Sequence, residues 1–166
     1  MATNNDWAST QVSGLKELNA ALKQLPENIA KNVLRGATSA GAAVIRKEAR
    51  QRAPVYTGDV QGNHPPPGTL KKSVYQSQRR NLSSLVKQVF HVGVRTGKGL
   101  KDKAGRSVDA YYWRFVEFGT SKMAARPFLR PAFEAKKQAA VEAIKDYLAQ
   151  RIPREVDKLP KGKRPY

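Results

Sequence analysis

Apolar positions along the chain fall first into two helical stripes, then into short alternating runs, and finally into a third helical stripe. Gly14 to Leu25 carries Leu15, Leu18, Leu22 and Leu25, spaced three, four and three apart, the apolar face of a short amphipathic helix. Pro26 breaks it and is well placed as the first residue of a longer helix. From Glu27 to Ala53 that second pattern sets Ile29, Val33, Ala37, Ala40, Val44 and Ala49 on one face, over roughly 40 Å at ~1.5 Å per residue. Its middle, Gly36 to Ala43, is almost all small. Each glycine costs a helix about 1 kcal/mol relative to alanine, so another backbone is expected close by. The pattern reads as a helix laid against a sheet; a kink at the glycines is the alternative. Arg46, Lys47, Arg50 and Arg52 crowd the last turns, either complementing the helix dipole or forming an exposed basic ridge.

Pro54 to Gly68 is full of turn and polyproline signals and predicts a loop. Leu70 to Gln78 then alternates, with Leu70, Lys72, Val74 and Gln76 on one side, and Leu85 to Val94 places Val86, Phe90, Val92 and Val94 on one side. Both predict half-buried strands joined through the polar turn 79–84. Residues 95–109 are too polar for a core and predict a functional or mobile loop. They open into Ala110–Phe118, expected as an aromatic strand with Tyr111, Trp113, Phe115 and Glu117 on one face and Tyr112, Arg114, Val116 and Phe118 on the other. Both faces are largely apolar, which suits a strand covered on both sides. After the segment R-P-F-L-R-P, Pro131 can begin a last helix carrying Phe133, Ala140, Val141, Ile144, Leu148 and Ile152, with Pro153 expected to end it. The expectation is an α+β fold, a small antiparallel sheet of three to four strands against two N-terminal helices and one C-terminal helix. Residues 1–152 are read as one domain and 153–166 as a flexible basic arm.

Composition narrows the chemistry. The 166 residues suit one domain with a real core. Thirty-one Lys and Arg against 13 Asp and Glu give a formal charge of +18, which favours an anionic partner, nucleic acid or an acidic protein surface, or simply marks a solvated basic surface. Cysteine is absent, so disulfides, thiol nucleophiles and thiolate metal sites are excluded, and a reducing cytoplasm suits the product. The first residues lack the basic start and apolar run of a signal peptide, and no apolar run approaches the ~18 residues that span a bilayer; a soluble protein with no membrane partner is expected.

Candidate sites mostly reduce to structure. His64 and His91 stand apart, without the spacing zinc or a facial triad needs. The run Gly93 to Gly99 departs from a phosphate loop: three residues separate its first two glycines, Gly99 stands where Ser or Thr should be, and no helical pattern follows. No serine sits in a G-x-S-x-G elbow, and no carboxylate cluster for metal ions is present, so no cofactor, metal or catalytic residue is assigned and an enzyme, such as a nuclease, ranks last. Glu117, flanked by Val116 and Phe118, is costly to bury unpaired, and a bond to Arg126 or Arg130 is expected to fix the corner. The interleaved Tyr111, Tyr112, Trp113, Arg114 and Phe115 could stack on bases, although core packing explains the same pattern. A basic nucleic-acid-binding module is the rival from another class.

Taken together, V-S-G-L-K-E-L at Val12–Leu18, A-P-V-Y-T-G at Ala53–Gly58, L-K-K-S-V at Leu70–Val74, Y-Y-W-R-F-V-E-F-G-T at Tyr111–Thr120 and A-R-P-F-L-R-P-A at Ala125–Ala132 resemble the phage head–tail joining family, the minor neck or tail-completion proteins of lambdoid long-tailed phages. The chain departs from that pattern in the insertion Asp59–Thr69 and in its Lys-rich loop. The resemblance implies a non-enzymatic virion protein, made in the host bacterial cytoplasm, that forms a ring, expected as a hexamer, at the head–tail interface. Its implied neighbours are the connector or stopper, the tail terminator and the tail tube, with possible contact to packaged DNA. Trp113, Phe115, Glu117, Phe118, Gly119, Thr120, Arg126, Pro127, Phe128 and Pro131 are then the structural corner. Arg95, Lys98, Lys101, Lys103 and Arg106 in the loop, with Arg154, Lys158, Lys161, Lys163 and Arg164 in the arm, are the candidate assembly contacts, expected to order on docking. Neighbouring copies would cover the sheet edges.

Overall fold

A computed structural model describes residues 15–23, 25–57, 65–97, 101, 105 and 108–159. The elements run α1 (Leu15–Lys23), α2 (Glu27–Arg52), α3 (Thr69–Ser73), β1 (Val74–Gln78), β2 (Phe90–Val94), α4 (Trp113–Phe118) and α5 (Leu129–Asp157). The α+β class holds, with a two-stranded sheet among the described residues in place of the three or four strands expected.

The long helices α2 and α5, 26 and 29 residues, form an antiparallel pair about 40 Å long. Small residues let them approach. A Cβ on Gly41 would stand 2.8 Å from Ile144 Cδ1 and 2.9 Å from the Ala140 carbonyl oxygen, and one on Gly36 would enter the Tyr147 ring. The glycines therefore mark a close approach, as expected; the element they admit is the C-terminal helix, while the sheet packs on the same small stretch at Ser39. Gly41→Val is expected to cost about 1–3 kcal/mol by overpacking, more than the helix propensity it recovers; a melting curve matching the parent's would contradict this contact.

Two apolar clusters result. Leu25, Val33, Ala37, Leu148, Ile152 and Leu159 close one end of the helix pair, with Leu22, Tyr147 and Val156 packed on them. This cluster carries α5 past Pro153 to Asp157. Pro153 removes one backbone donor, but it is exposed, and Ile152 and Leu159 on either side are buried. Pro153 thus does not end the helix, and residues 153–157 continue it; residues 160–166 lie outside the described residues.

The second cluster gathers Ala49, Ala53, Leu70, Val74, Val94, Ala110, Phe128 and Ala132, joining the far end of the helix pair to the sheet and the corner. β1 and β2 are antiparallel, with Val74 opposite Val94, Gln76 opposite Val92 and Gln78 opposite Phe90. This face meets α2: the Gln76 amide donates to the carbonyl and hydroxyl oxygens of Ser39 at 3.1 and 3.0 Å, and Arg50 donates from Nε and Nη2 to the Val74 carbonyl at 3.0 and 2.8 Å. Arg50 is therefore spent inside the fold, whereas Lys47 is exposed. On the opposite face the Tyr75 and His91 rings meet edge-on at 6.0 Å.

Both strands are shorter than the alternation predicts. Residues 69–73 form a helical turn because Gly68 takes a left-handed conformation (φ 79°), after which Thr69 Oγ1 donates to the Pro66 carbonyl at 2.6 Å and Lys72 N–H to the Gly68 carbonyl at 3.0 Å. Residues 85–89 are extended turn rather than strand. Ser83 Oγ accepts the Val89 N–H and the Ser84 N–H meets the Lys87 carbonyl, leaving Val86 88% exposed.

Candidate functional site

Where a strand was expected over 110–118, a turn leads into the helix α4 at Trp113–Phe118. The Trp113 N–H donates to the Ala110 carbonyl at 3.0 Å, the Val116 N–H to Tyr112 at 3.2 Å, and the Gly119 N–H to Phe115 at 2.9 Å. Aromatic and β-branched residues favour strands through packing more than through intrinsic backbone preference, and packing here favours the helix. It sends Tyr112, Trp113 and Val116 onto the second cluster and buries Glu117 beside them, while Tyr111, Phe115 and Phe118 turn outward at 62, 51 and 63% exposure. Spacings of 112/116 and 113/117 are one helical face.

Gly119 ends α4 with φ 75°. A side chain there would also strike backbone, since a Cβ would sit 2.9 Å from Ala125 N and 3.0 Å from Met123 O. Thr120 and Met123 pair across the following turn, and the Arg126 N–H donates to the Val116 carbonyl at 2.8 Å. The chain then drops Phe128, fully buried, into the core and starts α5.

A helix beginning F-L-R-P has no Ser, Thr, Asp or Asn before it to accept its first N–H groups. Glu117 supplies the acceptor from α4. Its Oε2 accepts the N–H groups of Phe128 and Leu129 at 2.8 and 3.0 Å, and its Oε1 accepts that of Arg130 at 3.1 Å. Pro131 has no N–H, and the Ala132 N–H already bonds the Phe128 carbonyl, so every donor of the first turn is satisfied. The carboxylate also lies at the positive end of the helix dipole. The corner is thus fixed by Glu117, as expected, but through the backbone of residues 128–130 rather than through the Arg126 or Arg130 side chain. The missed signal was the uncapped helix start, for which Glu117 is the acid at hand.

Tyr112 ties the corner to α3. Burial raises its phenol above the ordinary value of 10.0, opposed in part by a hydrogen bond with the Leu70 backbone. The unfolded chain loses this proton at a lower pH than the folded chain does, so stability is present below about pH 10 and falls as pH rises above it. Tyr112→Phe is expected to flatten the alkaline limb of a stability-versus-pH curve; an unchanged limb would contradict burial of this group.

The predicted site residues separate into groups. Trp113, Glu117, Gly119, Phe128 and Pro131 build the corner, whereas Phe115, Phe118, Thr120, Arg126 and Pro127 line its outer surface. Arg95 lies over the Tyr75 ring at 5.5 Å, Lys101 is exposed, and Arg154 is exposed on α5. Lys158 Nζ meets Glu155 at 3.2 Å. Arg154 sits 25 residues beyond the start of α5, about 38 Å along its axis, so the corner and the C-terminal cations are separate surfaces. Lys98, Lys103, Arg106, Lys161, Lys163 and Arg164 lie outside the described residues.

One apolar groove of about 520 Å³ opens between α2, β2 and α5, lined among others by Ile45, Phe90, Val92, Phe133 and Ile144, with Lys137 as its one charged wall. No group of His, Asp and Glu among the described residues could hold a metal ion, and no described helix is long and apolar enough to cross a membrane.

A family model described as "Bacteriophage HK97-gp10, putative tail-component" matches residues 16–119, from α1 through the glycine that ends α4. The segment 125–132, which completes the corner, follows the matched span. No curated protein and no solved structure matches the chain.

Proposed function

The chain belongs to the HK97-gp10-like family of bacteriophage tail components, and on that premise we propose that it is a ring-forming subunit of the neck, completing the tail and joining it to the head. Its role in the family is structural, in the virion. The observation that supports the finer reading is the outer surface of the corner. Tyr111, Phe115, Phe118 and Met123 are 40–63% exposed, on α4 and the turns at its two ends, held by Glu117, by Gly119 and by the Arg126–Val116 hydrogen bond. Grouped exposed aromatics on a rigid support mark an interaction surface. Among the described residues both strands of the sheet are also edges, which neighbouring copies in a ring can cover.

The test is genetic. Phage lacking the gene are expected to yield filled heads and separate tails under the electron microscope, with joining restored by the gene in trans. Joined, infectious particles without the protein would overturn the reading.

A further inference from the structure

We infer that the exposed face of α4 docks into an apolar groove rimmed by carboxylates on a different virion protein, not on a second copy of this chain. The inference rests on the structural reading above and names the partner's chemistry. Between Ala110 and Phe133 the sequence carries Arg114, Lys122, Arg126 and Arg130 against a single acid, Glu117. Glu117 is 6% exposed and committed to the α5 backbone. The four cations are exposed, and Arg114 reaches over the Trp113 ring at 5.6 Å. The segment therefore combines outward aromatics with four exposed cations, and the acids that flank it are engaged elsewhere, Asp109 accepting the Gly97 N–H and Glu134 pairing with Lys137 at 3.0 Å.

A second copy fits this surface poorly. Face to face, two copies would set cation on cation, which suppresses pairing. Face to groove, the ridge would meet an apolar trough with no carboxylate in its lining, on a body of formal charge +18. Duplex DNA would satisfy the cations but keeps its base faces stacked on one another, so three aromatic rings would reach them only at the cost of unstacking. An acidic protein groove satisfies both features, with aromatics and Arg supplying the anchors and the opposite charge steering encounter.

Phe118→p-benzoylphenylalanine, introduced into phage particles and irradiated, tests this directly. The expected product is a covalent adduct with one other virion protein, at a peptide in which apolar residues are flanked by Asp or Glu. Lys122→Glu with Arg126→Glu is expected to lower the adduct yield at least tenfold in a protein that melts like the parent. An adduct with the chain itself, an adduct with DNA, no adduct in particles that contain the protein, or a yield insensitive to charge reversal would each overturn the inference and leave the neck reading standing. Particles that never incorporate the protein would overturn both.

Discussion

Glu117→Ala is expected to lower the free energy of unfolding by about 3 kcal/mol, since hydrogen bonds to a charged acceptor contribute roughly 1.5–3 kcal/mol each and do not add fully. The variant strands the N–H groups of Phe128, Leu129 and Arg130 at a helix start with no side-chain cap of its own. Glu117→Gln keeps one acceptor oxygen and loses the charge at the dipole, so it should fall between alanine and the parent. Denaturant unfolding of the three proteins checks the order. A Gln variant as stable as the parent would show that neither the charge nor the second oxygen matters, and would remove Glu117 from its place as the fastener of the corner.

Phe128→Ala should be the more damaging change, at about 3–5 kcal/mol for a fully buried phenylalanine. Phe128 is 0% exposed and belongs to the cluster that joins α2, α3, both strands and α5. In a domain of this size that loss lowers the melting temperature by roughly 10 °C. The two variants differ in kind: Phe128→Ala leaves a cavity that Phe128→Leu partly refills, whereas the Glu117 defect is polar and no apolar residue repairs it. Calorimetry of Phe128→Ala and Phe128→Leu separates cavity cost from cap loss. A drop below 1 kcal/mol for the alanine variant would mean that the corner does not anchor the core.

The helices with a clear apolar period were readable from the residues alone. Leu22 on α1 and Leu25 just past its end, Val33, Ala37 and Ala49 on α2, and Ala140, Leu148 and Ile152 on α5 all face inward as their spacing requires. The glycines of α2 announced a close neighbour without identifying it, because a small surface admits a helix or a sheet equally. Phe90, Val92 and Val94 alternate correctly within a strand half as long as the pattern suggested, since the hydrogen bonds of residues 83–89 end the ladder early.

Errors gathered where local composition opposed tertiary demand. Tyr111 to Phe118 is rich in strand formers, yet α5 lacks an acceptor for its first turn, and the helical conformation sets Tyr112 and Val116, which a strand would turn to the opposite face, on the core beside Trp113 and Glu117. Pro153 marked a helix end by its own chemistry and was outweighed by Ile152 and Leu159 on the apolar cluster. The site was therefore legible in its members: Glu117, Gly119, Phe128 and Pro131 were singled out by type and position. Its geometry was not, because the partner of Glu117 is backbone, which shows in the sequence only as the absence of a capping residue before Phe128.

A cryo-electron microscopy reconstruction of the head–tail junction in intact particles, refined to side-chain detail, tests the central claim most directly. The account predicts a closed ring at the junction, built from copies of this chain, with the outward rings of Tyr111, Phe115 and Phe118 covered by a neighbouring protein. A junction fully accounted for by other proteins, with this chain located elsewhere or missing from the particle, would contradict it.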